Sequence, residues 1–308
     1  MNHTFLSGLI AAPFTPMNEK GKLNLEPIAP YVDWLVNTGV KGAFICGTTG
    51  EGPSLRFEEK KVVFEEWVRC SDKRLKVIAH VGGTCYTESI ELAKHAENSG
   101  VDAIAAMAPN FFRPTSVDEL LLFLKSIAEA APELPFYYYH IPSVTGVDLP
   151  VHEILSGADD MISNLAGVKF THSNLMDLQQ CLALNHGHFD ILFGSDEILL
   201  SALSLGVKSA VGSTYNYMAP VYVNLIEAFN NNDLQDARKY QELSVKVVHL
   251  LNKYGGGVRA GKAIMELVGI ECGPCRLPIR NMTTSEAESL KNDLLEIGFF
   301  EMIDSDFI

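Results

Sequence analysis

Residues Glu88–Met107 read ESIELAKHAENSGVDAIAAM, and this stretch contains the unit from which the fold is built. Its apolar residues recur at helical spacing as far as Asn98, Gly100 follows, and a short apolar run begins at Ala103. Glycine is common at the end of a helix because it adopts a left-handed backbone conformation there. The stretch therefore predicts a helix, a turn and a strand in succession.

The same alternation continues for about two thirds of the chain. The turn Gly100–Ala103 (GVDA) has weak repeats at Gly39–Gly42 (GVKG) and Gly206–Ser209 (GVKS). Eight apolar runs predict strands at Leu9–Pro13, Gly42–Cys46, Val77–Val81, Ala103–Met107, Phe136–Ile141, Gly167–Phe170, Ile191–Gly194 and Ser209–Gly212. Amphipathic segments that predict helices include Pro27–Val36, Glu58–Arg69, Glu88–Asn98 and Val117–Ala130. Eight strand–helix units predict an α/β fold, a closed (β/α)8 TIM barrel.

The pattern changes after the eighth strand. Four further segments predict helices with no strand between them, at Ala219–Asn230, Asp233–Tyr254, Val258–Val268 and Ser285–Ile297. No linker rich in Ser, Pro or Gly separates them from the barrel. We therefore expect a catalytic barrel over residues 1–230 and a C-terminal helical extension over residues 231–308 that packs on it.

Composition excludes several classes of partner. The chain has 24 basic and 38 acidic residues, hence a formal net charge of −14, which repels nucleic acid and anionic lipid. No apolar stretch reaches the ~18 residues of a transmembrane helix. The six cysteines are scattered through a long chain without a secretory signal, which predicts reduced thiols and a cytoplasmic location. A small-molecule substrate is the expected partner.

In a barrel of this kind the chemistry lies at the C-terminal ends of the strands. The first candidate there is Gly47–Pro53 (GTTGEGP), which follows the second predicted strand. Glycines let successive N–H groups converge, and the hydroxyls of Thr48 and Thr49 add donors, so the loop can hold a carboxylate or a phosphate. The alternative is an ordinary turn that uses glycine for its backbone angles.

The second candidate is Lys169, at the end of the apolar sixth strand LAGVKF. Burial disfavours an ammonium ion, so a lysine in a covered strand tends to become a neutral amine near neutral pH. A neutral amine can attack a carbonyl and form a Schiff base. Alternatively, the side chain extends to solvent or pairs with a carboxylate.

The fifth strand and the ends of the last two strands supply further polar groups. Strand alternation places Tyr137 and Tyr139 on one face and Tyr138 on the other, so a phenol could move protons inside the barrel, although tyrosines in strands often only pack. His140 is interpreted as a structural histidine. Gly194–Glu197 (GSDE) and Gly212–Asn216 (GSTYN) could bind a polyhydroxyl substrate or cap helices.

Two other motifs are rejected, and no metal site is predicted from spacing. Cys272–Cys275 (CGPC) follows a helix and lacks the second ligand pair of a zinc site. Gly256–Ala263 (GGVRAGKA) approaches a P-loop, but Ala263 replaces the magnesium-binding hydroxyl and no strand precedes the segment. A helix N-terminus explains it better.

Taken together, the GTTGE loop, a tyrosine before His140-Ile141-Pro142 and a lysine in Gly167-Val168-Lys169 resemble the dihydrodipicolinate synthase and N-acetylneuraminate lyase family of class I aldolases. The resemblance covers nearly the whole chain, and the segments FGSDE and AVGSTYNY favour its sialic acid branch. It implies reversible cleavage of N-acetylneuraminate to pyruvate and N-acetyl-D-mannosamine, without a separate cofactor, by a homotetramer.

The resemblance also implies roles for individual residues. Lys169 would form the Schiff base, and Tyr139 would move protons. Thr48 and Thr49 would bind the pyruvate carboxylate. The residues implied to contact the sugar portion are Thr171, Gly194, Asp196, Glu197 and Ser213. Many family members supply a tyrosine from a neighbouring subunit in the loop after strand four, whereas this chain has Phe111-Phe112 there.

Two alternatives remain open at this point. One is a sister enzyme, either dihydrodipicolinate synthase or a 2-keto-3-deoxy sugar-acid aldolase, although Val144-Thr145-Gly146 lacks the arginine that dihydrodipicolinate synthases usually carry in that segment. The other is a non-catalytic barrel that binds a small molecule. The presence of Lys169, Tyr139, Thr48 and Thr49 together argues against the second alternative.

Overall fold

Eight parallel strands close into a barrel in the structure, a computed structural model that describes residues 6–303. The strands are β1 (Gly8–Ala11), β2 (Gly42–Ile45), β3 (Lys76–His80), β4 (Ala103–Met107), β5 (Phe136–His140), β6 (Leu165–Phe170), β7 (Asp190–Phe193) and β8 (Ser209–Gly212). The barrel closes where β1 pairs with β8, from Gly8 opposite Ser209 to Ala11 opposite Gly212. The predicted TIM barrel is confirmed, and the predicted strands agree with the observed ones to within two residues.

Helices surround the barrel in the order that the sequence alternation predicts. Those between strands are α1 (Ile28–Asn37), α2 (Phe57–Ser71), α3 (Tyr86–Ser99), α4 (Val117–Ala128), α5 (Pro142–Thr145), α6 (Val151–Ala158), α7 (Leu175–Ala183) and α8 (Leu199–Leu205). Those after β8 are α9 (Tyr215–Asn230), α10 (Leu234–Lys253), α11 (Gly257–Leu267), α12 (Thr284–Glu296) and α13 (Phe299–Ile303). Within residues 6–303, no helix is both long and apolar enough to span a membrane.

Side chains alternate between two apolar clusters, one inside the barrel and one between the strands and the helices. Tyr137 and Tyr139 belong to the inner cluster, while Tyr138 belongs to the outer one. This division agrees with the alternation expected of a strand.

The pairing of β5 with β6 is irregular at one point. Phe136 lies opposite Leu165 but Tyr137 lies opposite Gly167, so Ala166 is an extra residue in β6. An extra residue of this kind changes the face on which the following side chains point. Beyond it, Tyr139 and Lys169 are partners in register. The irregularity therefore sets up the contact between these two residues.

Candidate active site

A cavity of about 230 Å³ opens at the C-terminal ends of the strands. It is lined by all nine residues that sequence analysis selected: Thr48, Thr49, Tyr139, Lys169, Thr171, Gly194, Asp196, Glu197 and Ser213. These residues come from the ends of β2, β5, β6, β7 and β8, so only the closed barrel brings them together. Their individual roles stay a prediction.

Lys169 is 4% exposed and lies between two aromatic rings. Its Nζ is 4.0 Å from the centre of the Phe44 ring and 4.1 Å from that of Tyr139. Burial lowers the pKa of Lys169 from 10.5 to about 7, an effect that the nearby charge of Asp196 partly opposes. Near neutral pH, a substantial fraction of the Lys169 side chains are therefore neutral amines that can act as nucleophiles.

Tyr139 is 2% exposed, and its hydroxyl lies 3.2 Å from Thr48 Oγ1. Burial raises the pKa of Tyr139 to about 12, so its phenol keeps its proton at neutral pH. Tyr137 has a different partner, because its hydroxyl donates to Asp190 Oδ2 at 2.9 Å. Of the two tyrosines inside the barrel, only Tyr139 lines the cavity.

A buried ion pair connects the GTTGE loop to the C-terminal helices. Lys262 Nζ lies 2.8 Å from Glu51 Oε1, and the two side chains are 4% and 0% exposed. Lys262 also donates to the carbonyls of Thr15 and Pro274, at 3.0 and 2.8 Å. Glu51 itself has a left-handed backbone, with φ of 53°. The loop that carries Thr48 and Thr49 is thus fixed to α11 of the C-terminal extension.

Asp196 supplies a buried carboxylate at the mouth of β7. Its Oδ2 accepts hydrogen bonds from the backbone N–H and the hydroxyl of Thr214, at 3.0 and 2.6 Å. Its Oδ1 is buried and has no hydrogen-bond partner in the described structure. Burial raises the pKa of Asp196 to about 6, although the Thr214 hydrogen bonds oppose that change. Asp196 thus contributes a largely desolvated carboxylate to the lining of the cavity.

Two glycines make room for these polar side chains. A Cβ on Gly212 would lie 2.0 Å from Asp196 Oδ1, and a Cβ on Gly194 would lie 1.9 Å from Thr171 Oγ1. Both distances are far below contact distance, so any side chain at either position would displace a residue of the cavity. The glycine that sequence analysis placed at Gly194 is explained by this close approach.

Glu197 differs from Asp196 in its surroundings, because Glu197 is exposed whereas Asp196 is 5% exposed. The expectation of two carboxylates at the mouth is met in position, but only Asp196 is desolvated. The two residues begin a short 3-10 turn (Asp196–Ile198), and an exposed acidic side chain in a first turn is normal.

The C-terminal extension contributes residues that sequence analysis did not select. Gln241 and Ser244, on α10, donate to the backbone carbonyl of Asp196 at 3.1 and 3.3 Å. Asn252, also on α10, lines the cavity. Their only signal in the sequence is a polar position in an amphipathic helix, which surface residues share.

The rejected motifs have structural explanations. Cys272 and Cys275 are free and buried, and burial raises their pKa values to about 12 and about 11, so both thiols stay protonated. The segment that resembles a P-loop forms the start of α11 at Gly257, and its Lys262 forms an ion pair with Glu51.

The sequence and the fold of this chain are both similar to those of known proteins. Residues 5–297 match the Dihydrodipicolinate synthetase family. N-acetylneuraminate lyase of Rattus norvegicus is 48% identical over 301 residues, which cover 96% of this chain and 94% of that protein. The structure of Proteus mirabilis N-acetylneuraminate lyase is 40% identical with a TM-score of 0.94, covering 96% of this chain and 100% of that one. Dihydrodipicolinate synthase from Aquifex aeolicus is 26% identical with a TM-score of 0.87, covering 98% and 100%.

Proposed function

This chain belongs to the dihydrodipicolinate synthetase family, and from that premise we propose that it is a lyase, a class I aldolase that cleaves N-acetylneuraminate reversibly to pyruvate and N-acetyl-D-mannosamine. The observation that carries the proposal is the buried Lys169, with its lowered pKa, in one cavity with Tyr139 and Thr48. The identity of 48% to a protein named N-acetylneuraminate lyase supports the choice of substrate.

The reaction starts at the Lys169 amine. Its neutral Nζ attacks the keto carbon of the open-chain sugar, water leaves, and a protonated Schiff base forms. The Tyr139 phenol, which holds its proton at neutral pH, donates that proton as the hydroxyl leaves as water. No separate cofactor is required, because the Schiff base itself accepts electrons.

Cleavage follows from the positive charge of the Schiff base. The hydroxyl on the carbon beyond the breaking carbon–carbon bond gives its proton to the Tyr139 phenolate that the first step left, and its oxygen becomes the carbonyl oxygen of the departing aldehyde. The bonding electron pair moves toward the iminium nitrogen to give an enamine. The Tyr139 phenol then protonates the enamine carbon, water hydrolyses the resulting Schiff base to release pyruvate, and the proton freed by hydrolysis returns to Tyr139, so that Lys169 and Tyr139 are both restored. The Tyr139–Thr48 contact of 3.2 Å gives these protons a short route.

The remaining residues of the cavity divide between the two ends of the substrate. We assign the carboxylate to Thr48 and Thr49, whose loop is fixed by Glu51 and Lys262. The sugar hydroxyls are assigned to the residues that line the same cavity at the ends of β6, β7 and β8, namely Thr171, Gly194, Asp196, Glu197 and Ser213. The place of Asp196 in the cavity lining supports this assignment.

A sister activity, condensation of pyruvate with a short aldehyde as in dihydrodipicolinate synthase, is the second candidate. Arg113 lies against Gly146, because a Cβ on Gly146 would be 2.6 Å from the Arg113 guanidinium carbon. An arginine is therefore near the Val144–Gly146 segment, but Arg113 is exposed and is not part of the cavity lining. This placement favours the sugar substrate.

Location and assembly are proposed on separate grounds. Six free cysteines support a reducing compartment, for which the cytoplasm is our proposal. Phe111 and Phe112, in the loop after β4, are 78% and 85% exposed. Large exposed aromatic side chains favour a protein contact, and we propose a homotetramer in which one or both rings meet a neighbouring subunit. We also propose that residues 231–308 act as one unit with the barrel.

Borohydride reduction in the presence of pyruvate tests the chemistry. We expect a reduced pyruvyl adduct on Lys169 in peptide mass mapping, and no adduct in Lys169→Met. An adduct on another lysine, or none, would contradict the Schiff-base assignment.

A substrate panel tests the choice of aldehyde separately. We expect cleavage of N-acetylneuraminate to exceed condensation of pyruvate with aspartate semialdehyde by orders of magnitude. If the semialdehyde is the better partner while Lys169 is labelled, the sister activity replaces the proposed one.

A further inference from the structure

Two histidines and an aspartate lie close together on the outer side of the barrel wall, the side to which Tyr138 points. His140 ends β5, His172 follows β6, and Asp148 lies in the connection between α5 and α6. One donor atom from each residue lies within 4.8 Å of the corresponding atoms of the other two. His172 Nδ1 and Asp148 Oδ1 are 3.9 Å apart. None of the three residues lines the cavity that contains Lys169.

His140 is fully buried, yet one of its ring nitrogens is unsatisfied. Its Nδ1 lies 3.4 Å from the hydroxyl of Tyr138, whereas its Nε2 has no hydrogen-bond partner in the described structure. A buried polar atom without a partner is costly, and such atoms in folded proteins call for an explanation such as a bound ion or water. The unsatisfied Nε2 of His140 is therefore available as a ligand atom.

We propose that His140, Asp148 and His172 bind one divalent first-row transition-metal ion, with Zn²⁺ as the representative ion. Two imidazole nitrogens and one carboxylate oxygen form a ligand set that suits such ions. Fully buried His140 forms the floor of the site, while the side chains of His172 and Asp148 are 26% and 69% exposed and open to solvent. One or more water molecules complete the coordination.

The distances require only a small adjustment. An ion at the centre of a triangle with sides of 4.8 Å would lie about 2.8 Å from each donor. Zinc bonds to nitrogen and oxygen are about 2.0–2.2 Å long, so each donor atom needs to move by less than about 1 Å. Asp148 is on an exposed connection, and its side chain can supply most of that movement.

The surroundings of His140 resemble those of a metal ligand. Metal-binding histidines usually use the second ring nitrogen for a hydrogen bond that fixes the ring, and Tyr138 occupies that position. The Phe170 ring packs on His140 and on His172, with centroids 5.6 and 6.3 Å apart. Asp148 and His172 lie eight and thirty-two residues after His140 along the chain. These separations match no common metal-binding motif, which explains why the sequence did not reveal the site.

Titration of the untagged protein with Co²⁺ and Zn²⁺ tests the site without relying on activity. We expect one ion per chain by calorimetry and a Co²⁺ visible spectrum without the intense near-ultraviolet bands of thiolate ligands. His172→Gln and Asp148→Asn should each weaken binding by about 100-fold or more, and Tyr138→Phe by about 10-fold. Circular dichroism should show that each variant is folded.

His95→Gln is the matched control, because His95 pairs with Glu65 at 3.1 Å, but within residues 6–303 the two belong to no group of three potential ligands. This variant should bind the ion as the parent protein does. The absence of binding at micromolar ion concentrations, thiolate bands in the spectrum, or equal affinity in the parent and His172→Gln proteins would each overturn the proposal.

Discussion

Tyr139 has two groups that could matter to catalysis, the hydroxyl next to Thr48 and the ring that packs on Lys169. Tyr139→Phe removes the first and keeps the second. We expect the variant to fold normally and turnover to fall by a factor of about 10² to 10⁴, because one proton-transfer group is lost. Steady-state cleavage assays measure this. Nearly normal turnover would show that the hydroxyl takes no part.

The reactivity of Lys169 should follow pH in a defined direction. The neutral amine is the nucleophile, so the rate of pyruvate adduct formation should rise with pH and reach half its maximum near pH 7, the pKa of Lys169. Asp196 raises that pKa by its charge. Asp196→Asn removes the charge and should move the midpoint to lower pH, because the ammonium loses a stabilising partner.

Borohydride trapping across a pH series measures both midpoints. Glu197→Gln is the matched control, since Glu197 is exposed and the same charge change there is screened by water. A midpoint that stays in place or rises in Asp196→Asn would contradict the coupling.

At the scale of an element, the GTTGE loop depends on α11. Glu51→Gln leaves the Lys262 ammonium buried without a counter-charge, and breaking a buried pair in this way costs about 3–5 kcal/mol. We expect the free energy of unfolding in urea to fall accordingly. Because the loop carries Thr48 and Thr49, KM for pyruvate in the condensation direction should rise more than kcat falls.

Lys94→Met is the control for this ion-pair prediction. Lys94 and Glu91 also form an ion pair, but both side chains are more than half exposed, so the loss should be below about 1 kcal/mol. Combining Glu51→Gln with Lys262→Met should recover part of the lost stability, since no unpaired charge remains. Equal effects of Glu51→Gln and Lys94→Met would show that the buried pair has no special role.

Elements were more predictable than the contacts between them. The strands could be predicted because each is a short apolar run between turn residues. The start of α9 was predicted less well. The predicted helix begins at Ala219, next to Pro220, whereas the observed helix begins at Tyr215 and is irregular at Met218. A single chain also gives no sign of the extra residue Ala166, since such an irregularity depends on the pairing of two strands.

In the candidate site, likewise, some individual residues could be predicted from the sequence, but their contacts with distant residues could not. Lys169 could be selected because a lysine in an apolar strand is unusual. Tyr139 could be selected only through the family resemblance, since tyrosines in strands often only pack. Glu51 and Lys262 could not be paired, because their contact spans more than two hundred residues and neither has a local signal of its partner. The contrast between buried Asp196 and exposed Glu197 likewise depends on tertiary packing.

For the whole molecule, the net charge of −14 opposes the approach of an anionic substrate. Raising the ionic strength from about 0.01 M to about 0.15 M shortens the screening length from about 30 Å to about 8 Å. We expect kcat/KM for N-acetylneuraminate to rise about two- to fivefold over this range, because repulsion is screened. In the condensation direction, kcat/KM for the neutral N-acetyl-D-mannosamine at saturating pyruvate should stay constant. If kcat/KM for N-acetylneuraminate fell as the ionic strength rose, the active site would be attracting the anion locally despite the net charge of the protein.

Because β1 pairs with β8, the barrel can close only late in the synthesis of the chain. About two hundred residues separate these two strands, so at about 5–20 residues per second the ribosome makes β8 roughly 10–40 s after β1. During that interval the nascent sheet has an open edge at β1, and such edges invite pairing with other chains. Lys262 is translated later still, so Glu51 has no counter-charge until after β8 has been made. A chain released early would therefore be a sheet with open edges and an unanchored loop, not a smaller enzyme.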